Sequence, residues 1–208
     1  MNLTSLRLLP NPVIVDCGCN EGQWLDHVLP QLAGTPRVIA IDMLWPEARV
    51  CQARHPQATV LNVALDACAG ELIARRHECS QSSSLLPMTA LHDKVWGSPT
   101  HEPVSLLQVQ TVSLDALMRL LMVEHVDLLK LDLQGYEIQA LKGAEYTLSV
   151  TDHVISEVSW VELYEGQVLF PELDVFLQRS GFKRRMFYDL KTEDGDNVCG
   201  DALWSRRK

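Results

Sequence analysis

The chain has 208 residues, 47% of them hydrophobic and 22% charged, enough to bury the core of an ordinary globular domain. Its formal net charge of -9 argues against tight nonspecific binding to nucleic acid, whose affinity comes from Lys and Arg neutralising phosphates. There are 6 cysteines with no C-x-x-C pair, no charged-then-apolar leader, and no apolar stretch that could span a bilayer; a reduced, cytoplasmic protein without a membrane partner is expected.

The first apolar run, Pro12-Val13-Ile14-Val15, ends in Asp16-Cys17-Gly18-Cys19-Asn20-Glu21-Gly22-Gln23, after which Trp24, Leu25 and Val28 take helical spacing. This reads as strand, glycine turn and helix, with Gly18 and Gly22 letting the backbone turn sharply and a ligand come close to the helix start. Arg37 to Met43 is a second buried strand, followed by a helix from about Pro46 to His55 and a third strand, Ala58 to Val63. Glu71 to Arg76 and Val104 to Thr111 read as further strands around the polar run Ser80-Gln81-Ser82-Ser83-Ser84. Ser113 caps an amphipathic helix, Val126 to Leu131 is the next core strand, a helix runs from Tyr136 into Thr147, and Val154 to Val158 is another strand. A helix from about Pro171 to Arg179 stops at Gly181, and Phe182 to Tyr188 pairs with Val198 to Trp204 around Asp194-Gly195-Asp196-Asn197. The alternation predicts an α/β fold with a doubly wound, mostly parallel seven-stranded sheet and a C-terminal antiparallel hairpin, the Rossmann-like class I methyltransferase arrangement. One domain is expected over 1–208, with a lid-like insertion near 80–103. Leu85, Leu86, Met88, Leu91, Val95 and Trp96 give that insertion more apolar surface than a solvated loop needs.

In such sheets a ligand lies across the carboxyl ends of the strands. Asp16 at the mouth of the glycine loop would repel a pyrophosphate and attract the sulfonium or ammonium of S-adenosylmethionine, and the dinucleotide spacing G-x-G-x-x-G is missing. Asp16, Gly18, Asn20 and Gly22 are therefore assigned to that cofactor. Asp42 ends the second strand, where a carboxylate accepts hydrogen bonds from ribose hydroxyls or caps a helix; Asn62 and Ala64 end the third, where a small side chain leaves room for adenine. Ser83 and Ser84 either close over the cofactor or belong to a mobile loop. The fourth core strand delivers Lys130-Leu131-Asp132-Leu133-Gln134-Gly135-Tyr136-Glu137, in which Asp132 and Glu137 are candidates for the reacting centre and Lys130 neutralises a nearby carboxylate. Glu157 on the fifth is expensive to half-bury without purpose.

These segments, with Asn62-Val63-Ala64-Leu65, Ser82-Ser83-Ser84-Leu85, Val112-Ser113-Leu114-Asp115, Leu141-Lys142-Gly143-Ala144, Leu163-Tyr164-Glu165-Gly166 and Ser180-Gly181-Phe182, resemble the FkbM family of S-adenosylmethionine-dependent methyltransferases. The resemblance runs from about residue 13 to about residue 190. It implies O-methylation of a hydroxyl on a small molecule, sugar or glycan, with Asp132, Glu137, Glu157 and Tyr164 as the catalytic or acceptor-site set. Gln134 stands where many relatives have Glu, and Asp42 where Glu is usual.

Asp132 and Glu157 could share a divalent cation, but a carboxylate acting as base without an obligatory metal is preferred. The 7 histidines show no paired ligand spacing, and His77, His92 and His101 read as exposed loop residues unless one serves as base. With about a dozen residues before the first strand, cover for the acceptor is expected from the 80–103 insertion or from a second subunit in a homodimer. A nucleotide-dependent oxidoreductase and a noncatalytic binding module of the same fold are the alternatives.

Overall fold

The apolar runs 14–17, 38–42 and 126–131 are buried on both faces, as central strands of a parallel sheet covered by helices must be. The structure, a computed structural model, describes residues 3, 6, 8–97 and 100–207. β1 (Val13–Cys17), β2 (Arg37–Asp42), β3 (Thr59–Asn62), β7 (Val126–Leu131) and β8 (Thr151–Ser159) are parallel, and β9 (Phe182–Glu193) and β10 (Asp196–Arg206) add an antiparallel hairpin. The order is β3-β2-β1-β7-β8-β10-β9. From β1 the chain builds outward first to β2 and β3 and later to β7 and β8, so the order reverses between β1 and β7, and a crevice opens there at the strands' carboxyl ends. Ile14 faces Leu128 and Asp16 faces Lys130 across that pair.

Alternation along β1 sends Val15 and Cys17 to one core and Ile14 to the other. The first core is completed by α4 (Leu114–Leu120), α5 (Glu137–Lys142), α6 (Glu145–Ser149) and α7 (Phe170–Arg179). Opposite lie α1 (Gln23–Val28) and α2 (Trp45–Arg54). Ser113 caps α4 as its sequence predicts, its Oγ accepting from Ala116 N at 3.2 Å. The hairpin turns at Asp194 and Gly195, both at positive φ, the geometry that matches strand twist.

Two local differences from the sequence reading have physical causes. The helix expected from Tyr136 to Thr147 is two helices, broken at Gly143, where a Cβ would come within 2.6 Å of Asp66 O. Asp115 restarts it: its Oδ2 accepts from Tyr146 N and its Oδ1 from Thr147 N, both at 2.8 Å. The strands predicted at Glu71 and Val104 stay outside the main sheet. As β5 (Gly70–Arg76) and β6 (Ser105–Val112) they form a second sheet with β4 (Ala64–Leu65), in the order β4-β6-β5. The segment between them carries α3 (Ala90–Trp96), whose Val95, with Met88, is buried against Leu163, Tyr164, Val198 and Cys199.

Candidate active site

A cavity of about 600 Å³ opens across the carboxyl ends of β1, β2, β7 and β8, within the size range of small-molecule sites. Gly18, Asn20, Asp42, Ala64 and Ser83 line one part of it, and Asp132, Gln134, Glu137, Glu157 and Tyr164 another. Four of the residues predicted for the site are not in its lining: Asp16, Gly22 and Ser84 are buried outside it, and Asn62 is exposed. Asn62 Nδ2 donates to the backbone carbonyl of Asp42 (3.0 Å), and Ser84 Oγ donates to Gln134 O (2.7 Å).

The glycines answer to protein neighbours first. Gly18 has φ 82°, and a Cβ there would sit 1.9 Å from Asp132 O; Gly22 has φ 85°, and its Cβ would meet the His55 ring at 2.7 Å. Only a residue without Cβ lets the β1 loop lie against the end of β7. Asn20 N and Leu44 N donate to Asp42 Oδ2 and Oδ1, each at 2.8 Å, which fixes the carboxylate and leaves further lone pairs for the cavity. Burial pushes Asp42 up to about 6, against these two hydrogen bonds. The serine run is tied down: Asn20 Nδ2 donates to Ser80 Oγ (3.0 Å), and Ser83 Oγ accepts from His77 N (3.1 Å).

Asp16 is fully buried and neither carboxylate oxygen has a hydrogen-bond partner among the described residues, although Lys130 Nζ lies 3.5 Å from Oδ1. Burial raises its pKa while Lys130 opposes the rise. Lys130 Nζ is also 3.1 Å from Asp132 Oδ2 and 5.7 Å from the centre of the Trp24 ring. Burial works against its charge, but Asp132 and Asp16 outweigh it and hold the ammonium well above its ordinary pKa.

Gln134 is the hub of the second part. Its Nε2 donates to Asp132 Oδ1 at 2.6 Å and to Glu157 Oε2 at 2.9 Å, and its Oε1 accepts from the Tyr164 hydroxyl at 2.7 Å. Three elements meet on one amide, which a φ of 52° at Gln134 and of 92° at Gly135 turns toward them. An N–H donor bridges the two carboxylates, and among the described residues they belong to no group of three ligands close enough to share a metal. Burial, then Asp132, Glu137 and Asp201, push Glu157 well above the ordinary carboxylate range. Tyr164 is raised by burial and by Glu157, so its phenol is neutral at pH 7. Glu137 lines the cavity, but its Oε1 accepts from Leu133 N (2.7 Å) and Gly135 N (3.3 Å), so it pins the turn that presents Gln134. Its pKa rises to about 7 through burial.

Sequence reasoning missed Asp201, Trp96 and the centrality of Gln134. Asp201 reaches the cavity because β10 sets it opposite Glu157, a pairing across 44 residues that no local signal announces. Burial, then Asp132, raise it to about 6. The histidines differ from expectation too: His77 and His92 are buried, and His92 lines the cavity. Apolar packing of α3 onto the β8–β10 end carries His92 inward.

The family model of the methyltransferase FkbM domain matches residues 16–184. The chain is 28% identical over 177 residues, covering 80% of it and 71% of the relative, to 2-O-methyltransferase NoeI of Sinorhizobium fredii (strain NBRC 101917 / NGR234). Among solved structures it is similar to methyltransferase FkbM from Methylobacillus flagellatus KT, with TM-score 0.59 and 15% identity, over 97% of this chain and 45% of that one. It thus spans less than half of that larger chain. It also matches magnesium protoporphyrin IX methyltransferase (ChlM) from Synechocystis PCC 6803 with bound SAM, with TM-score 0.53 and 13% identity, over 99% of this chain and 74% of the other.

Proposed function

Because the chain belongs to the FkbM methyltransferase family, we propose that it transfers the methyl group of S-adenosylmethionine to a hydroxyl of a small molecule, sugar or glycan. The observation that carries this is the two-part cavity, a glycine-loop end with Asp42 and an end where Gln134 joins Asp132, Glu157 and Tyr164. The name of the curated relative, a 2-O-methyltransferase, supports oxygen as the acceptor atom.

The residues present fit the donor. Asp42 offers a fixed carboxylate to ribose hydroxyls, and Gly18, Asn20 and Ala64 leave a wall without bulk beside it. Asp16 is a buried carboxylate with no hydrogen-bond partner among the described residues, and it and Asp132 flank one ammonium, Lys130. This imbalance favours a cationic ligand over a pyrophosphate. When bound, the donor supplies an electrophilic methyl group for in-line displacement by oxygen, chemistry whose rate depends on alignment and on removal of the hydroxyl proton. Asp132 and Glu157, locked by Gln134, orient the acceptor; Tyr164 stays a neutral hydroxyl beside it; and Glu137 holds the turn.

Calorimetry with S-adenosylhomocysteine and NAD, followed by transfer of a labelled methyl group to a panel of methyl glycosides and phenols, tests the reading. Binding of S-adenosylhomocysteine without NAD, and label on oxygen, are expected. Binding of NAD alone would overturn it in favour of an oxidoreductase.

A further inference from the structure

Removal of the acceptor proton needs a group that is unprotonated before the step and has somewhere to send the proton afterwards. α3 supplies both. His92 is 2% exposed, lines the cavity, and sets its ring edge-on to Tyr164 at 5.4 Å between centroids and 64° between planes. Trp96, one helical turn on, lines the same cavity with its ring 6.4 Å from that of His92, and Lys191 Nζ lies 3.9 Å from its centre. Among the described residues, the buried polar atoms His92 Nδ1, Asp93 Oδ1 and His77 Nε2 have no hydrogen-bond partner. The Asp93 carboxylate and the His77 ring both act electrostatically on His92. The other oxygen of Asp93 is 2.8 Å from Nδ1 of His101, whose side chain is 44% exposed. A line of titratable groups thus runs from the cavity to the surface.

We propose that His92 Nε2 accepts the proton of the hydroxyl being methylated, with Asp93, His77 and His101 behind it as positioning residues and proton exit. The inference rests on the methyltransferase reading above. As the acceptor's oxygen–methyl bond forms and the donor's sulfur–methyl bond breaks, the hydroxyl proton passes to Nε2 and is released through Asp93 and His101 to solvent. The groups that face His92 are Asp93 on its own helix, His77 after β5, Lys191 on β9 and Tyr164 after β8. Burial lowers the His92 pKa, and His77 and Lys191 add to this while Asp93 opposes it, so the ring is neutral at pH 7. Trp96 gives the acceptor a flat wall beside it.

Two measurements test this. Nitrogen NMR of the histidines in the S-adenosylhomocysteine complex, which needs no acceptor, is expected to show His92 at pH 7 as the neutral Nδ1–H tautomer. A charged ring, or the Nε2–H tautomer, would overturn the proposal. With any panel member that takes label, His92→Gln is expected to lower kcat about 100-fold or more at unchanged S-adenosylhomocysteine affinity and to remove the acid limb of the pH profile. Asp93→Asn should move that limb to lower pH, because the carboxylate raises the pKa of the ring, an effect a merely structural Asp93 would not produce. Retention of kcat within threefold in His92→Gln, with the limb intact, rejects the role. An enzyme that binds NAD and not S-adenosylhomocysteine fails at the earlier reading, before this one is reached.

Discussion

The two ends of the cavity are held in different ways. At the glycine-loop end the key carboxylate is fixed by main chain: Asp42 accepts from Asn20 N and Leu44 N, and Gly18 is packed on the carbonyl of Asp132. At the other end side chains hold one another, with Gln134 between Asp132, Glu157 and Tyr164. A site fixed by backbone is settled once the strands are in register. A site built from side chains stands or falls as a unit, so its substitutions will be non-additive.

The largest effect should come from Gly18→Ala, which places a methyl group on a main-chain carbonyl at a φ that L residues resist. We expect a loss of about 3 kcal/mol or more in stability, read by denaturant unfolding, with no soluble folded enzyme as the extreme outcome. Gln134→Leu should follow, since it leaves two carboxylates and a phenol without their shared partner. A loss of about 2–3 kcal/mol is expected, together with loss of methyl transfer, while affinity for S-adenosylhomocysteine changes by less than about fivefold. An equal loss of ligand affinity would erase the distinction between the two ends.

Asp42→Ala tests the opposite end. It should cost about 1.5–3 kcal/mol in S-adenosylhomocysteine binding, roughly a 10- to 150-fold rise in Kd by calorimetry, with the coupling among Asp132, Gln134 and Glu157 intact. Unchanged affinity would remove Asp42 from the ribose.

The smallest effect separates a structural carboxylate from a chemical one. Glu137 titrates at about 7 in the fold against an ordinary 4.5, so between these values the folded protein binds the extra proton and stability falls as pH rises. Glu137→Gln keeps an oxygen for Leu133 N and Gly135 N and carries no charge to bury. It should raise stability at pH 8 by on the order of 2 kcal/mol and change nothing at pH 4, as thermal melts at the two pH values would show. A variant that is inactive and no more stable at pH 8 would return Glu137 to the chemistry.

What could be read from the sequence was whatever depends on near neighbours in the chain. Val126–Leu131 appears in the structure with the bounds its apolar run predicts, the cap at Ser113 forms, and Asp42 ends its strand, because periodicity, capping and turn chemistry act over a few residues. The doubly wound class and the place of the site at the carboxyl ends of the strands also followed from the alternation of strands and helices, whereas the strand order and the separate β4-β6-β5 sheet did not. Tertiary structure alone decided which side chains meet. Packing drew His92 from an expected loop to a buried wall, antiparallel pairing set Asp201 beside Glu157, and a left-handed backbone turned Gln134 from a bystander into the hub. Each of these rests on contacts between distant parts of the chain, whose closure no local pattern encodes.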